Sequence, residues 1–271
     1  MREATLKRRE RILSEIVDVG FVTVKNLAAT LQVSQGTIRR DLRQLAGASD
    51  IKLTYGGASL IHREVVPFEQ RLLVNQDAKK AIGKLAASLV ADGDTIFLDG
   101  GTTCFCMIPF LKTKRRLTVI VGSMRLLGEL SGRGFGIILV GGQYNETRKD
   151  VFGPLAVDAL GHFGGYTAFL GAEGLSMNIG LTASDIGIAH VCGTAARNAR
   201  KTVLLADRSK FVRSSFFKIT GFEYISTVVT DGHVSREWSD FLRSRGIDVL
   251  TPVGRTVPAS YGTLNVRCGP F

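Results

Sequence analysis

The stretch Val33-Ser34-Gln35-Gly36-Thr37-Ile38-Arg39-Arg40-Asp41-Leu42 decides the fold of the first part of this chain. Ser34 can cap a helix, because its hydroxyl can accept a hydrogen bond from a backbone N–H of the first turn. Helical spacing then places Ile38, Leu42 and Leu45 on one buried face. The remaining surface carries polar side chains: Gln35, Thr37, Arg39, Arg40 and Arg43. The pattern predicts an amphipathic helix with arginines exposed to solvent.

Two further helices are predicted before this one. Thr23 can cap a short helix over residues 24–31, and the brief turn Gln32-Val33-Ser34 joins it to the next helix, as in a helix-turn-helix. A longer amphipathic helix, at about residues 2–18, comes first. It offers apolar side chains as the third wall of a small core: Leu6, Ile12, Leu13, Ile16 and Val17.

A pair of glycines follows the three helices. Gly56-Gly57 lies between Ile51-Lys52-Leu53 and Ala58-Ser59-Leu60-Ile61, and glycines flanked by apolar residues predict a hairpin turn. A hairpin in this place is the wing of a winged helix. Residues 1–62 are therefore predicted to form a winged helix-turn-helix domain that binds double-stranded DNA.

The second helix of such a domain lies in the major groove, with side chains at base edges and arginines on phosphates. A merely solvated helix face is the alternative interpretation of Arg39-Arg40, but the order of caps, turn and hairpin favours DNA. The candidate DNA-contacting residues are Thr23, Lys25, Ser34, Gln35, Thr37, Arg39, Arg40 and Arg43.

Composition agrees with a polyanionic partner and excludes other classes. The 271 residues carry a formal charge of +11, which suits nucleic acid. The cysteines, Cys104, Cys106, Cys192 and Cys268, form no C-x-x-C pair and have no histidine pair nearby at ligand spacing, so we expect no zinc or other metal site. We also expect no cofactor. The charged start of the chain does not resemble a secretory signal, and no apolar run approaches the roughly twenty residues that span a bilayer. We therefore expect a cytoplasmic protein without a membrane partner.

Beyond residue 62 the sequence changes character. Residues 63–76 are predicted as a linker, with a connecting helix beginning near Glu69, and residues 77–250 alternate between apolar strands and helices. This alternation predicts an α/β domain with a mostly parallel sheet covered on both faces. The predicted strands are 95–98, 117–121, 136–140, 167–170, 202–206, 224–230 and 247–250; the predicted helices are 78–90, 124–130, 154–160, 186–199 and 235–244. Residues 251–271, rich in proline and glycine without periodicity, are predicted as a loose tail.

Glycine and polar residues follow these strands, where an open α/β sheet binds its ligands. Thr102, Thr103 and Ser123 predict a phosphate cradle, because hydroxyls and glycine backbone N–H groups bind anions. Asp99, Glu173 and Asp207 are predicted to accept from sugar hydroxyls, and Lys210 to supply positive charge. The glycines assigned to this candidate effector site are Gly100, Gly101, Gly141 and Gly142.

The alternative for any single glycine at a strand end is a tight turn without a ligand. The convergence of several at one sheet edge favours a small polar ligand. The signal is not a strong nucleotide motif: the chain has no Walker loop, and Gly132-Arg133-Gly134-Phe135-Gly136 precedes a predicted strand, where a dinucleotide fingerprint would follow one.

At this level of detail the chain resembles the DeoR-type bacterial transcriptional regulators, from about residue 7 to residue 250. The ordered matches are Val33-Ser34, Thr37-Ile38-Arg39-Arg40-Asp41-Leu42, Gly56-Gly57-Ala58, Asp94-Thr95-Ile96-Phe97-Leu98-Asp99, Gly101-Thr102-Thr103, Gly141-Gly142, Phe169-Leu170-Gly171-Ala172-Glu173-Gly174, Gly180-Leu181-Thr182, Leu205-Ala206-Asp207 and Ser209-Lys210-Phe211. The resemblance implies a winged helix followed by a sensor domain similar to ribose-5-phosphate isomerase folds. It further implies a repressor of sugar or polyol catabolism genes, released by a phosphorylated intermediate, and a homodimer or homotetramer.

The chain departs from the pattern of that family at the expected ligand edge. Gly122 stands where an asparagine is usual, and Ile188 and Cys192 stand where the helix after Asp185 usually carries a glutamate and a lysine. Asp185 is kept among the candidate effector residues. The departures remove polar groups from the expected ligand edge, so the identity of the effector stays open.

Two other functions stay open beside the repressor. One is an isomerase or deaminase acting on a sugar phosphate, with Asp99, Glu173 and Asp207 as candidate acid–base groups. The missing glutamate and lysine, and the DNA-binding domain, argue against an enzyme. The other is a regulator whose sensor domain no longer binds a ligand and serves only to oligomerise.

Overall fold

A computed structural model describes residues 2–19, 21–46, 51–54, 56–60 and 67–256. The chain divides into two compact units, Met1–Lys80 with Asn145–Lys149, and Ala81–Tyr144 with Asp150–Phe271. The predicted domain limits at residues 62 and 76 stay predictions; the first of them lies outside the described residues.

The first unit begins with the predicted three helices. Its elements are α1 (Arg2–Val19), β1 (Phe21–Thr23), α2 (Val24–Leu31), α3 (Gln35–Ala46), β2 (Ile51–Thr54), β3 (Gly57–Leu60), α4 (Phe68–Leu73) and the start of α5 (Gln76–Ser88). Helices α1, α2 and α3 confirm the predicted order, and α4 confirms the connecting helix. Strand β1 was not predicted, since three residues carry too short a pattern.

The hairpin confirms the predicted wing. In the described part of this unit, β1, β3 and β2 form an antiparallel sheet in that order, and Thr54 pairs with Gly57. Gly56 makes the turn with a φ of +83°, where glycine is favoured. Gly57 belongs to the strand, and a Cβ there would lie 2.0 Å from the carbonyl oxygen of Val22. Gly56 is therefore needed for its backbone conformation, and Gly57 for the close approach of the Val22 carbonyl.

The core of the first unit lies between the helices and this sheet. Its buried side chains are Ile12, Leu13, Ile16, Val22, Val24, Leu27, Ile38, Leu42, Ile51, Ala58 and Val74. One predicted member was wrong: Leu6 is 59% exposed. Helix α1 has 18 residues, about 27 Å, and its first turns extend past the core that begins at Ile12. The side chain of Val17 lies outside the described part.

The second unit alternates strands and helices as predicted. Its elements are the rest of α5, β4 (Thr95–Leu98), α6 (Thr102–Phe105), α7 (Ile108–Leu111), β5 (Thr118–Val121), α8 (Met124–Leu130), β6 (Gly136–Leu139), β7 (Gln143–Asn145), β8 (Asp150–Phe152), α9 (Pro154–Gly161), β9 (Thr167–Leu170), β10 (Gly174–Ser176), β11 (Gly180–Ala183), α10 (Ile186–Asn198), β12 (Lys201–Leu205), β13 (Phe217–Thr220), β14 (Thr227–Val229), α11 (Arg236–Ser244), β15 (Asp248–Thr251) and β16 (Gly254–Thr256), with 3₁₀ helices at Arg208–Val212 and Phe222–Tyr224.

The main sheet has the order β16-β15-β14-β12-β9-β4-β5-β6 over the described residues. The strands from β15 to β6 all pair in parallel. The α/β class and the mostly parallel sheet are thereby confirmed. The short hairpins β7-β8 and β10-β11, and β13 beside β11, were not predicted.

Two limits are corrected. The strand predicted over 224–230 is shorter, because Phe222–Tyr224 forms a 3₁₀ helix and only Thr227–Val229 pairs. The loose tail predicted from residue 251 is wrong for its first residues, because β16 pairs antiparallel with β15. In this pairing Thr251 lies opposite Gly254, and Val249 lies opposite Thr256. Pairing satisfies the backbone groups of β15, which would otherwise be the sheet edge. Residues 257–271 lie outside the described part.

Alternating side chains of the sheet enter two separate cores. In β4, Ile96 and Leu98 pack with α5, α6, α7 and α8, while Phe97 packs on the opposite face with α9, α10 and α11. In β12, Val203 and Leu205 enter the first core and Leu204 the second. This period of two explains why the strands are continuously apolar: both faces are covered. The loops at the strand ends are left to carry polar groups.

Candidate functional site

The two helices of the helix-turn-helix begin at the predicted caps. The Thr23 hydroxyl accepts from the backbone N–H of Asn26 at 3.1 Å, and the Ser34 hydroxyl accepts from the N–H of Thr37 at 3.1 Å. The hydroxyls of Ser34 and Thr37 also lie 2.9 Å apart. Between the helices, Gln32 adopts a left-handed φ of 53°, which turns the chain sharply. These bonds fix where α3 begins.

The outer face of α3 carries the predicted polar side chains. Gln35, Arg39, Arg40 and Arg43 are exposed, as is Lys25 on α2, and Thr37 is half-buried. The Arg39 guanidinium donates to Gln35 Oε1 at 3.5 Å, one turn earlier. The helix has a single acidic residue, Asp41, and that side chain is buried. The exposed face is therefore cationic, without a carboxylate of its own helix.

Asp41 is a residue whose role the sequence reasoning missed. Its two carboxylate oxygens accept from Arg8 Nε at 2.6 Å and Arg9 Nε at 2.9 Å, both on α1. Burial by itself raises the pKa of Asp41, but the hydrogen bonds and charges of the two arginines outweigh burial and leave the pKa lowered. This burial could have been predicted from the sequence, because the helical spacing of Asp41 from Ile38 and Leu42 puts the carboxylate on the buried face. Asp41 therefore links α3 to α1.

The candidate effector edge begins at Asp99, directly after β4. Its Oδ2 accepts from the backbone N–H of Gly171 at 3.0 Å, and its Oδ1 lies 3.4 Å from Cys192 Sγ on α10. A Cβ at Gly101 or at Gly171 would approach Oδ2 to 3.0 or 3.1 Å. These glycines thus make room for the Asp99 carboxylate, a role that was not predicted from the sequence.

The predicted hydroxyls lie beside Asp99. Thr102 and Thr103 are buried in α6, and Ser123, just before α8, is 1% exposed. The hydroxyl of Ser123 has no hydrogen-bond partner among the described residues. A Cβ at Gly100 would lie 3.1 Å from Ser123 Cβ and 2.5 Å from Asp150 Oδ1. The structure therefore brings Asp99, Gly100 and Ser123 together.

Asp150 joins this group although the sequence reasoning missed it. It begins β8, where it forms a backbone bridge to Ser123, and Val151 N–H donates to Gly122 at 2.7 Å. The side chain is 8% exposed. Its position depends on a short hairpin folding back over the strand end, which leaves no local pattern in the sequence.

Three carboxylates of the predicted effector site have structural partners. Glu173 accepts from the backbone N–H of Ser184 at 2.9 Å and from its hydroxyl at 3.0 Å. Asp185 caps α10 by accepting from Ile188 N–H at 2.9 Å. Asp207 caps the 3₁₀ helix Arg208–Val212 through Ser209 N–H, also at 2.9 Å. These bonds hold loops at the edge, so an effector would compete with them.

The predicted residues are spread along five strand ends. Gly141 and Gly142 follow β6 and Asp207 follows β12, with β9, β4 and β5 between them, so the outer strands are about 19 Å apart. A sugar phosphate is too small to touch both. Gly142 is also explained without a ligand, since a Cβ there would lie 2.7 Å from Phe152 O. Lys210 lies half-buried in the 3₁₀ helix beyond β12.

The described residues contain neither a metal cluster nor a membrane-spanning helix. No group of three or more His, Cys, Asp or Glu side chains in this part is placed to hold a metal ion. Among the same residues, no helix has the length and apolarity to cross a bilayer.

Comparison with known proteins gives matches over both units. Residues 8–64 match the model of the DeoR-like helix-turn-helix domain, and residues 74–232 match the DeoR C terminal sensor domain. The transcriptional repressor AccR of Agrobacterium fabrum is 32% identical over 84% of this chain and 90% of its own length. The HTH-type transcriptional repressor GlcR of Bacillus subtilis is 31% identical over 90% of this chain and 95% of its own.

Among solved structures, a ribose 5-phosphate isomerase A from Methanocaldococcus jannaschii is 22% identical, with a TM-score of 0.39 over 51% of this chain and 55% of its own. The sensor model alone covers more than half of the chain. The chain therefore belongs to the DeoR family of DNA-binding transcriptional regulators.

Proposed function

We propose that this regulator is a repressor that binds operator DNA through α3 and the wing, and that a phosphorylated sugar or polyol releases it. The observation that carries the proposal is the exposed cationic face of α3, the second helix of a capped helix-turn-helix. Relatives named as repressors support the same sign of regulation.

The positions of the polar side chains on α3 support a proposed set of DNA contacts. Gln35 and Thr37, in its first turn, are proposed to face base edges, and Arg39, Arg40 and Arg43 to contact phosphates or guanine. Thr23, Lys25 and Ser34 flank the turn and are proposed to contact the backbone. Twofold symmetric binding to two half-sites multiplies affinity, so we propose a homodimer or homotetramer acting in the cytoplasm.

The effector is proposed to bind at the central strand ends. Ser123 supports this, because a buried hydroxyl without a partner costs free energy unless a ligand or water bonds to it. Thr102 and Thr103, with the backbone of Gly100 and Gly101, complete the proposed phosphate cradle. Asp99 lies beside them as an acceptor for a sugar hydroxyl. Lys210, Glu173, Asp185 and Asp207 are proposed for the side toward β12. Gly141 and Gly142 are proposed to border the site on the side toward β6, too far from Asp207 for one sugar phosphate to contact both.

The test is a gel-shift titration of the full chain on the DNA upstream of its own gene and the neighbouring genes. Each titration is repeated with ribose 5-phosphate, fructose 6-phosphate, glucosamine 6-phosphate and glycerol 3-phosphate. We expect specific binding that one of these compounds relieves. Specific binding indifferent to a wide panel would favour a regulator whose sensor no longer binds a ligand. Absence of specific binding would contradict the proposal.

The enzyme alternative needs free acid–base groups near the substrate. Glu173 is bonded to Ser184 and Asp207 caps a 3₁₀ helix, so neither is placed as an unengaged base. We therefore propose that the chain has no catalytic role. Turnover of ribose 5-phosphate or glucosamine 6-phosphate by the purified chain would contradict this.

A further inference from the structure

The strand-end edge contains a buried thiol next to a carboxylate. Cys192 lies in α10 and is 2% exposed, and its sulfur is 3.4 Å from Asp99 Oδ1. A thiol can donate one weak hydrogen bond, and an ionised carboxylate accepts but does not donate. The direction of the bond is therefore from Cys192 S–H to Asp99.

The thiol keeps its proton under ordinary conditions. Burial raises the pKa of Cys192 well above the usual 9.0, and the charge of Asp99 and the hydrogen bond to it raise that pKa further. A thiolate at this place would face a carboxylate at contact distance in a buried setting. The neutral thiol is thus a donor rather than a nucleophile.

The surroundings leave the carboxylate of Asp99 little freedom. Gly171 N–H bonds to Oδ2 at 3.0 Å, and the missing side chains of Gly101 and Gly171 form the space that Oδ2 occupies. Cys192 closes the other side at Oδ1. The carboxylate is held between two strand ends and one helix.

A second observation points to a ligand at this place. Ser123 has a fully buried hydroxyl without a partner among the described residues, and its Cβ lies 3.1 Å from the position of a Cβ on Gly100, the residue after Asp99. The unpaired hydroxyl and the fixed carboxylate therefore flank the same stretch of backbone.

We propose that Cys192 is a positioning residue of the effector site: its S–H group bonds to Asp99 Oδ1 and holds that carboxylate ready to accept a hydrogen bond from a hydroxyl of the ligand. The inference rests on the proposed function for the identity of the ligand. The neutral thiol donates to Asp99 Oδ1. Because an ionised carboxylate only accepts hydrogen bonds, a ligand group that bonds to Asp99 must also be a donor.

The first test measures the hydrogen bond without any ligand. The infrared S–H stretching band of Cys192 is assigned from the difference between the wild-type chain and Cys192→Ala. The same difference is then recorded in the Asp99→Asn and Asp99→Ala backgrounds. We expect the band to move to higher wavenumber in both, and further with alanine, because a thiol released from a carboxylate has a stronger S–H bond. A band that stays in place would overturn the proposal.

The second test measures positioning. Binding of the panel compound that most raises the Tm of the wild type is measured by calorimetry for Cys192→Ala and Cys192→Ser. We expect about tenfold weaker binding for the alanine variant, and binding within about threefold of wild type for serine, which restores a donor. Cys106→Ala, which also removes a buried thiol, is the matched control and is expected to bind as wild type.

The outcomes separate the two proposals. Equal affinity of the alanine and serine variants, with all Tm values near that of the wild type, would overturn the role of Cys192. If no compound of the panel binds the wild type, the sensor half of the proposed function fails. The infrared measurement still decides the thiol–carboxylate bond in that case.

Discussion

At the scale of single residues, Asp41 is a buried charge that fixes the helix on which the exposed arginines lie. Its carboxylate accepts from Arg8 and Arg9 on α1, while Arg39 and Arg40 on the same helix face solvent. A buried carboxylate left unpaired would be costly, and two guanidinium groups offset that cost. The motif Arg-Arg-Asp-Leu therefore combines helix anchoring by the aspartate with the DNA contact that we propose for the arginines.

We predict that Asp41→Asn lowers the free energy of unfolding by about 2 kcal/mol at neutral pH, because it leaves two partly buried arginines without their charged acceptor. The arginines keep some contact with water, which limits the effect. The measurement is urea unfolding of the full chain. Asp240→Asn, at an exposed position of α11, is the matched control, expected to change stability by less than about 0.5 kcal/mol. Equal losses in both variants would contradict the prediction.

The same carboxylate sets a pH dependence. The pKa of Asp41 is lowered in the folded chain, so the folded state favours the ionised form. Its contribution to stability is present above the ordinary value of 3.8 and is lost as the pH falls below it through the lowered pKa. The difference in stability between wild type and Asp41→Asn should therefore shrink in acid. A difference that is constant from neutral pH down to strong acid would rule this out.

At the scale of elements, α3 is defined by its ends and its two faces. Ser34 fixes its start, Ile38 and Leu42 bury one face, and the other is cationic. These features were predicted because caps and helical spacing are local. The short hairpins β7-β8 and β10-β11 were not predicted, since three-residue strands carry almost no periodicity and depend on pairing. The tail was predicted without the strand Gly254–Thr256 for the same reason.

We predict opposite effects for two glycine substitutions in the first unit. A Cβ at Gly36 would meet nothing closer than Ser34 Oγ at 3.7 Å, so Gly36→Ala should stabilise α3 by up to about 1 kcal/mol. Gly57→Ala would place a Cβ 2.0 Å from Val22 O and should strongly destabilise the wing. Thermal unfolding of both variants tests this. A lower Tm for Gly36→Ala would show that the helix start is strained in a way that these contacts do not reveal.

We predict that Arg39→Ala and Arg40→Ala each weaken operator binding, and that the kind of loss identifies the contact that each arginine makes. Loss of a base contact should cost about 1–3 kcal/mol and relax sequence preference at one position, whereas loss of a phosphate contact should weaken all sequences alike. Gel shifts on operator and scrambled DNA separate these cases. Arg236→Ala, at an exposed position of α11, is the control. Unchanged affinity in both α3 variants would refute the proposed interface.

At the scale of the whole molecule, the chain joins a DNA-binding unit to a sensor unit. The effect of a ligand of one unit on binding to the other is expressed as a coupling free energy. If a sugar phosphate lowers the DNA affinity by some factor, operator DNA must lower the affinity for that sugar phosphate by the same factor. We predict this reciprocity. It is checked by titrating the effective panel compound into the free chain and into the chain saturated with operator DNA. Unequal factors would mean that a further equilibrium, such as a change of oligomeric state, takes part.

The sequence by itself determined the order of the main helices and strands, the caps of α2 and α3, the parallel α/β class and the cationic face of α3, because each depends on residues close together in the chain. Only the tertiary structure decided which distant groups meet. It placed Cys192 and Gly171 on the carboxylate of Asp99, Asp150 beside Gly100, and Arg8 and Arg9 on Asp41. It also gave Glu173, Asp185 and Asp207 local structural partners. Contacts of this kind depend on which strands and helices pack side by side, and no local spacing in the chain encodes that packing.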